Sequence, residues 1–572
     1  MITPVQAEPS MDKEWGESVG RLNAATAERG QLFSDGNYAM FIHWGLYSRL
    51  GGQWKGQTYY GISEWIMHTA KIPVAEYRGI AAEFNPTDFD AHAIARLAKD
   101  AGMKYIVITA KHHEGFAMFD SKADPFNIVA ATPFKRDPMK ELAAACREEG
   151  LGFGFYYSHV KDWTTPGGGS GPKTDAAGNP VSFDDYFNKK CLPQVEEICS
   201  NYGQLEVVWF DTPGDLGKEQ IKALYDLVRK KQPHALVNSR IGKGMGDYAS
   251  KGDMEVPLGN MDGLWETVDT SNDSWAYAWY DQNWKSPKEI LSRLISTVAR
   301  GGTYMFDVGP DGTRRIPETA ARFLVQSGEW IKKHPQVVYG AGPSPWGHGL
   351  PWGDVTTQSN TLLLSVFDWP RDGKLYLPGL QAEVASATLF GDSRELSVSQ
   401  AGQGWTVVDL PPAAPDKLVA VVVVKLKDRA KADSTAGIYP NAESTLSTLF
   451  ADVQGAEKKN ISWAEKFGEW KHADQVSKWS PGAKVVWKVA VLEPGFYQVR
   501  LTYCGEKRLV WALETDEGVK LQNQQGATEK YQTYDLGVLE FKKAGEHTLT
   551  VTLVDGNRDT ASLKAMKLAP VE

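Results

Sequence analysis

Short apolar segments alternate with amphipathic helical segments from Tyr38 to Val308, and this alternation limits the possible folds more than any other feature. Strands that alternate with helices at this spacing form parallel βαβ units. Seven strands are clear, over Tyr38–Trp44, Tyr105–Ala110, Gly152–Ser158, Leu205–Asp211, Ala235–Ile241, Leu264–Thr270 and Thr303–Val308. Helices are predicted between them over Asp88–Ala101, Pro138–Glu149, Leu216–Lys231, Pro287–Ala299 and Pro317–Lys333.

Roughly 300 residues of such units fit a (β/α)8-like barrel better than an open doubly wound sheet. The eighth strand is expected to be weak or irregular. No GxGxxG motif opens a helix after a strand, which argues against nucleotide binding. We therefore predict a catalytic barrel over residues 31–343, preceded by a lead-in over residues 1–30 with a short helix over Lys13–Arg29.

After Gly340 the composition changes, and a Gly/Pro-rich linker leads into segments of alternating apolar and polar residues. These segments predict a small β-sandwich over residues 344–430 and a second all-β domain, a jelly-roll sandwich, over residues 440–572. The second sandwich is rich in Trp and Tyr. Those aromatic residues could bind a carbohydrate at the surface or could fill the core of the sandwich.

Charge and hydropathy exclude several classes of partner. The net charge is −9, and no basic stripe indicates nucleic-acid binding. The longest apolar run, Leu418–Val424, has the length of a strand and is too short to span a membrane. The N-terminal residues resemble the start left after removal of a signal peptide, so we expect export to the periplasm or the medium.

The run from Leu205 to Asp211 predicts a strand buried on both faces that ends in one carboxylate. Barrel enzymes carry catalytic groups at the C-terminal ends of their strands. Asp211 could instead begin a turn or cap the following helix.

Other strand ends and the segments that follow them also carry polar or aromatic side chains, which together indicate a site. These residues are His43, Glu64, Trp65, His112, His113, Tyr157, Arg240 and Glu266. His43, His112, His113 and Asp211 could form a metal site, but neighbouring residues of an extended strand point to opposite faces. We therefore expect no metal and a neutral, hydroxyl-rich ligand, since imidazole and indole groups bind hydroxyls and aromatic rings cover sugar CH faces.

The chain resembles the α-L-fucosidases of glycoside hydrolase family 29. The matching segments occur in the family's order over about residues 33–340 and read FIHWGLYS, EWIMH, YIVITAKHHEGFAMFDS, FGFYYSHVKDW, VVWFD, VNSRIG, GDY, LWET and SWAY. The resemblance implies exo-hydrolysis of terminal α-L-fucose from glycans with retention of configuration and without a cofactor. It also implies that Asp211 is the nucleophile and that the other residues named above line the fucose pocket.

The resemblance places the acid/base on the segment GDYASKGDMEVP, where Asp253 and Glu255 are candidates and Glu266 is a third. This group should have a raised pKa. Trp209, Phe210 and Trp279 could contact the fucose methyl group. Two alternatives remain open: a retaining glycosidase for a related sugar such as an α-L-galactoside, and an inactive barrel that only binds carbohydrate.

Overall fold

The computed structural model of the protein describes residues 28–571 except residues 314, 434, 467 and 468. The helix predicted over Lys13–Arg29 therefore lies outside the described residues, apart from its last two positions. Among the described helices, none is long and apolar enough to cross a membrane.

Eight parallel strands form one barrel-like sheet, which confirms the predicted fold class. In chain order they are β1 (Tyr38–Ile42), β2 (Tyr105–Lys111), β3 (Gly152–Ser158), β4 (Val207–Asp211), β5 (Leu236–Val237), β6 (Ala249–Asp253), β7 (Trp265–Thr270) and β8 (Thr303–Val308). Their order in the sheet is β5-β4-β3-β2-β1-β8-β7-β6. A parallel bridge between Asn238 and Tyr248 joins the two outer strands and closes the ring.

The barrel strand that is missing from the seven predicted ones is β6, which lies in a segment without a strand pattern in the sequence. Its residues, ASKGD, show no apolar pattern, and its pairing with β7 shifts in register between Ser250 and Asp253. The preceding strand, β5, has only two residues, and a 3-10 turn over Ser239–Ile241 follows it. Arg240 therefore lies in a turn beyond the strand and not at the strand's end.

Six longer helices cover the barrel: α1 (Ala91–Asp100), α2 (Pro138–Glu149), α3 (Leu192–Asn201), α4 (Lys218–Lys231), α5 (Pro287–Val298) and α6 (Glu318–Lys333). Local sequence fixes where several of them begin. The Asp90 carboxylate accepts a hydrogen bond from the Ala93 amide at 2.9 Å and caps α1. Ser286 and Glu289 form a capping box on α5.

Shorter helical segments complete the barrel and its loops. The α-helical ones are Gln31–Asp35, Leu46–Leu50, Ile66–Thr69, Val74–Gly79, Ile128–Ala131, Phe183–Tyr186 and Pro335–Val338, with a π-turn over Phe187–Cys191. The 3-10 turns are Glu28–Gly30, Ser63–Trp65, Ile80–Glu83, Ser239–Ile241, Gly402–Gly404 and Thr448–Phe450. In the described part of the chain, no α-helix separates β5 from β6 or β6 from β7.

Two all-β sandwiches follow the barrel. The first has a four-stranded antiparallel sheet (Gly353–Gln358, Thr361–Val366, Ala420–Leu426, Val384–Leu389) and a three-stranded sheet (Lys374–Leu377, Trp405–Asp409, Val398–Ala401). The second has two larger sheets built from Ala436–Ile438, Ser444–Ser447, Asp452–Gln454, Glu457–Lys466, Glu469–Ser477, Lys484–Val491, Gly495–Cys504, Lys507–Thr515, Lys520–Ala527, Gln532–Phe541, Gly545–Asp555 and Ser562–Pro570.

Most of the described aromatic residues of the second sandwich lie in its core. Trp479, Trp487, Tyr497, Tyr503 and Trp511 are all buried there. The core-filling interpretation therefore applies to these residues, and none of them offers a face for a sugar.

The second sandwich also lies against the barrel near β6. Its strand Glu469–Ser477 packs against Ala249–Asp253. The Phe450 ring lies 5.4 Å from the ring of His348. The barrel segment that carries the acid/base candidates is therefore packed against the terminal sandwich.

Candidate active site

Asp211 lies at the end of β4, and its carboxylate is surrounded by hydrogen-bond donors. The Tyr156 hydroxyl donates to Oδ2 at 2.9 Å, and Arg240 Nη1 donates to Oδ1 at 3.3 Å. His113 Nε2 lies 3.7 Å from Oδ2. Burial alone would raise the pKa of Asp211, but the Arg240 guanidinium and the Tyr156 hydroxyl hold it below its usual value. The carboxylate is therefore charged near neutral pH, as a nucleophile requires.

Arg240 connects Asp211 to a second carboxylate. Its Nη2 donates to Asp253 Oδ1 at 2.5 Å and to the backbone carbonyl of Lys251 at 2.9 Å. The guanidinium also lies over the Trp209 ring, 4.9 Å from the centroid. One planar cation thus holds the ends of β4 and β6 together across the barrel.

The histidines lie on the same side of Asp211. His43 Nδ1 lies 2.7 Å from Asp307 Oδ1, and burial lowers the pKa of His43 to about 3. Burial also lowers the pKa of His112 and of His113 well below the usual value. All three imidazoles are therefore neutral at physiological pH and can exchange hydrogen bonds with hydroxyl groups.

His112 and His113 face the same region, although neighbouring residues of an extended strand would not. β2 ends at Lys111, so both histidines lie in the turn that follows the strand. Their ring centroids are 4.1 Å apart. Among the residues that the structure describes, no group of three or more His, Cys, Asp or Glu side chains is arranged to hold a metal ion.

Tyr157, predicted for the pocket, points to the opposite face of β3. Its hydroxyl donates to Gln194 Oε1 of α3 at 2.8 Å, and its ring belongs to the layer between strands and helices. Tyr156 faces the barrel interior instead and contacts Asp211. The register explains this correction, because Tyr156 pairs with Trp209 and Ser158 pairs with Asp211 on the inward-facing side.

Glu64 and Trp65 are both placed at the site. Glu64 is buried, and its Oε2 accepts a hydrogen bond from the Ala276 amide at 3.1 Å. Burial raises the pKa of Glu64 to about 7, and the charges of Asp253 and Asp211 add to this rise. The Trp65 ring lies 5.3 Å from that of His113.

The three acid/base candidates have different surroundings. Asp253 is bound to Arg240 beside Asp211. Glu255 is half-buried and lies toward the terminal sandwich, where burial raises the pKa of Asp474 and Glu255 adds to that rise. Glu266 is completely buried, and its Oε1 accepts a hydrogen bond from Trp209 Nε1 at 2.5 Å. Burial raises the pKa of Glu266 to about 7, but the group is enclosed and bonded to the Trp209 indole.

The three residues suggested for an apolar patch are not together. Trp209 is buried in the barrel interior, where its ring stacks on Tyr156 at 5.3 Å. Phe210 points outward into the helix layer. Trp279 is 49% exposed. Trp275 was not anticipated, and it lies 5.3 Å from the His43 ring in the interior cluster that also contains Trp209.

The sequence places both Tyr156 and Tyr157 at the end of this strand, and the family resemblance assigned Tyr157 to the pocket. The alternation of side chains along the strand distinguishes the two tyrosines. Phe153, Phe155 and Tyr157 face outward, and Tyr156, between two of them, faces inward.

The site holds two carboxylates on one guanidinium, enclosed by neutral imidazoles and indoles at the end of a barrel. This arrangement suits attack on a polyhydroxylated ring. The fold and site define a glycoside hydrolase.

Comparisons with known proteins agree with this class. The α-L-fucosidase family profile matches residues 5–336. The α-L-fucosidase of Dictyostelium discoideum is 27% identical over 439 residues, which cover 69% of this chain and 92% of the relative. Human plasma α-L-fucosidase is 29% identical over 425 residues, which cover 66% of this chain and 85% of the relative. The chain belongs to the α-L-fucosidase family.

Solved structures extend the similarity beyond the barrel. The crystal structure of α-L-fucosidase from Vibrio sp. strain EJY3 aligns with a TM-score of 0.77 at 30% identity and covers 94% of this chain and 97% of that chain. AlfC from Lactobacillus casei, in complex with its α-L-fucose product, is 41% identical with a TM-score of 0.50 and covers 55% of this chain and 99% of that chain.

Proposed function

We propose that the protein is a retaining exo-α-L-fucosidase that removes terminal α-L-fucose from glycans through a covalent fucosyl-enzyme ester. Its family membership supports the hydrolase activity. The observation that carries the mechanism is the pair of carboxylates, Asp211 and Asp253, on the single guanidinium of Arg240. Retaining glycosidases need two carboxyl groups about 5–5.5 Å apart on either side of the scissile bond.

In the first step, Asp211 attacks the anomeric carbon while the bond to the departing oxygen breaks. Asp253 gives its proton to that oxygen. In the second step, water attacks the anomeric carbon, its proton passes to Asp253, and the Asp211 carboxylate is released. The Tyr156 hydroxyl and Arg240 orient the carboxylate of Asp211 for attack.

Asp253 is the proposed acid/base because it shares Arg240 with Asp211, whereas Glu266 is completely buried against the Trp209 indole and Glu255 lies toward Asp474. An ion pair with Arg240 favours the charged form of Asp253. The acid step therefore requires that the bound substrate lengthen this ion pair.

The proposed sugar is fucose because the known complexes of a 41% identical relative contain it. AlfC has been solved with α-L-fucose, and an Asp-to-Ala variant of AlfC has been solved with 4-nitrophenyl α-L-fucopyranoside and with Fucα(1,6)GlcNAc. Neutral histidines such as His43 and His112 supply hydrogen bonds for the ring hydroxyls.

The proposal is tested by hydrolysis of 4-nitrophenyl α-L-fucoside, with the α-L-galactoside as comparison. Asp211→Gly should lose about 10³-fold or more in kcat. Of Asp253→Gly, Glu255→Gly and Glu266→Gly, only the first should recover activity with azide. Azide rescue of a different variant would reassign the acid/base. Faster hydrolysis of the galactoside would identify an α-L-galactoside as the substrate instead. Binding of fucose without turnover would identify the protein as an inactive barrel that only binds carbohydrate.

A further inference from the structure

A lysine stands beside the aromatic residues that border the site. Lys161 Nζ lies 4.2 Å from the centroid of the Trp65 ring. The same Trp65 ring lies 5.3 Å from His113, and His113 Nε2 lies 3.7 Å from Asp211. Lys161 is therefore separated from the candidate nucleophile by one layer of rings.

These rings continue outward to the surface. Trp65 contacts Trp163 at 5.2 Å, and His68 stacks on Trp163 at 5.7 Å with an interplanar angle of 30°. His68 is exposed and Trp65 is half-buried. A half-exposed indole beside a cation offers a stacking face and a charge to a second sugar unit.

The charge of Lys161 is only partly compensated. Within the described part of the chain, the Lys161 ammonium group forms no ion pair with a carboxylate, and the Trp65 ring is its close contact. Burial lowers the pKa of Lys161, and the charge of Asp211 opposes this shift. A partly buried cation without an ion pair is costly, so an anion placed beside it would be favoured.

We infer that Lys161, with Trp65 and His68, binds an anionic group, a sulfate ester or a carboxylate, on the sugar that departs with the glycosidic oxygen. This inference rests on the proposed function. An unsubstituted terminal fucose carries no charge, so the anion belongs to the departing sugar. Lys161 follows β3 at the edge of the site, which suits a contact on the leaving-group side.

The test compares kcat/KM for three fucosides that share one leaving sugar: the neutral form, its sulfate ester and its uronate. The wild type should have a higher kcat/KM for the sulfate ester, the uronate or both than for the neutral form. Comparison of the two charged substrates shows which anion is bound. Lys161→Ala should lower the acidic-to-neutral ratio by about 10-fold, because charge-assisted hydrogen bonds are among the stronger ones. Lys161→Arg should keep the ratio, since it keeps the charge. The wild-type preference should weaken with added salt.

Lys173→Ala is the matched control, because Lys173 is an exposed lysine in the same segment between β3 and α3. Its ratio should equal that of the wild type. A wild-type ratio near one, or an equal loss on all three substrates in Lys161→Ala, would overturn the inference. Failure to hydrolyse any of the three fucosides would instead count against the proposed function itself.

Discussion

Asp211 and Asp253 are bound to the two terminal nitrogens of one guanidinium, that of Arg240, at 3.3 Å and 2.5 Å. The two acids come from β4 and β6, which occupy separate positions in the barrel, and Arg240 comes from the turn after β5. The distance between the proposed nucleophile and the proposed acid/base is thus set by a single side chain. This relationship leads to the first prediction.

Replacing Arg240 should damage catalysis and shift its pH dependence. Arg240 lowers the pKa of Asp211 against the effect of burial. In Arg240→Lys the two-pronged contact is lost, so the pKa of Asp211 should rise and the acidic limb of kcat/KM should move to higher pH. We expect a loss of about 10²-fold in kcat/KM. Arg322→Lys, on the exposed side of α6, is the control, and an unmoved acidic limb in Arg240→Lys would contradict this account.

Two neighbouring tyrosines provide a matched test of which face of β3 points into the site. Tyr156 donates to Asp211, whereas Tyr157 donates to Gln194. Tyr156→Phe should lower kcat by roughly 10-fold or more, because it removes a hydrogen bond to the reacting carboxylate. Tyr157→Phe should chiefly lower the free energy of unfolding, by about 1 kcal/mol. Steady-state kinetics and denaturant unfolding of both variants check this. The reverse pattern would restore Tyr157 as the site residue.

A buried carboxyl group near the histidines should make stability depend on pH. Glu114 is buried, and burial raises its pKa to about 8. A carboxyl group whose pKa is raised on folding holds its proton more tightly in the folded state. The stability that the protonated Glu114 contributes is therefore lost as the pH rises from the pKa of the group in the unfolded chain toward its folded-state pKa of about 8.

Glu114→Gln removes this titration. The unfolding temperature of the variant relative to the wild type should therefore increase between about pH 5 and about pH 8.5, by a few degrees. Differential scanning calorimetry across this range measures the trend. Glu219→Gln, at an exposed position of α4, should show no such trend. A constant difference for Glu114→Gln would mean that Glu114 does not titrate in this range.

The sequence predicts the barrel well where strands are apolar and poorly where they are not. The run before Asp211 is buried on both faces, and its apolar residues predict a strand. β6 has the sequence ASKGD, in which no apolar pattern predicts a strand. Pairing with β7 and packing against the terminal sandwich hold it, and such long-range contacts leave no local pattern.

The sequence indicates which residue types gather at the ends of the strands, but it does not indicate how each side chain is oriented. Choosing between Tyr156 and Tyr157 requires the phase of the inward-facing side chains, and one position of error reverses the face. The common orientation of His112 and His113 depends on where β2 ends, which the apolar pattern leaves uncertain by a few residues. The link from Arg240 to Asp253 depends on a turn and an irregular strand, neither of which has a periodic signature.

The most direct test of the central claim is to trap the fucosyl-enzyme. The protein is incubated with a slow 2-fluoro-substituted fucosyl donor, digested and examined by mass spectrometry, with Asp211→Asn as control. The account predicts one sugar adduct per chain, on the peptide that contains Asp211, and no adduct in the variant. An adduct on another residue, or hydrolysis that releases the inverted sugar without any adduct, would contradict it.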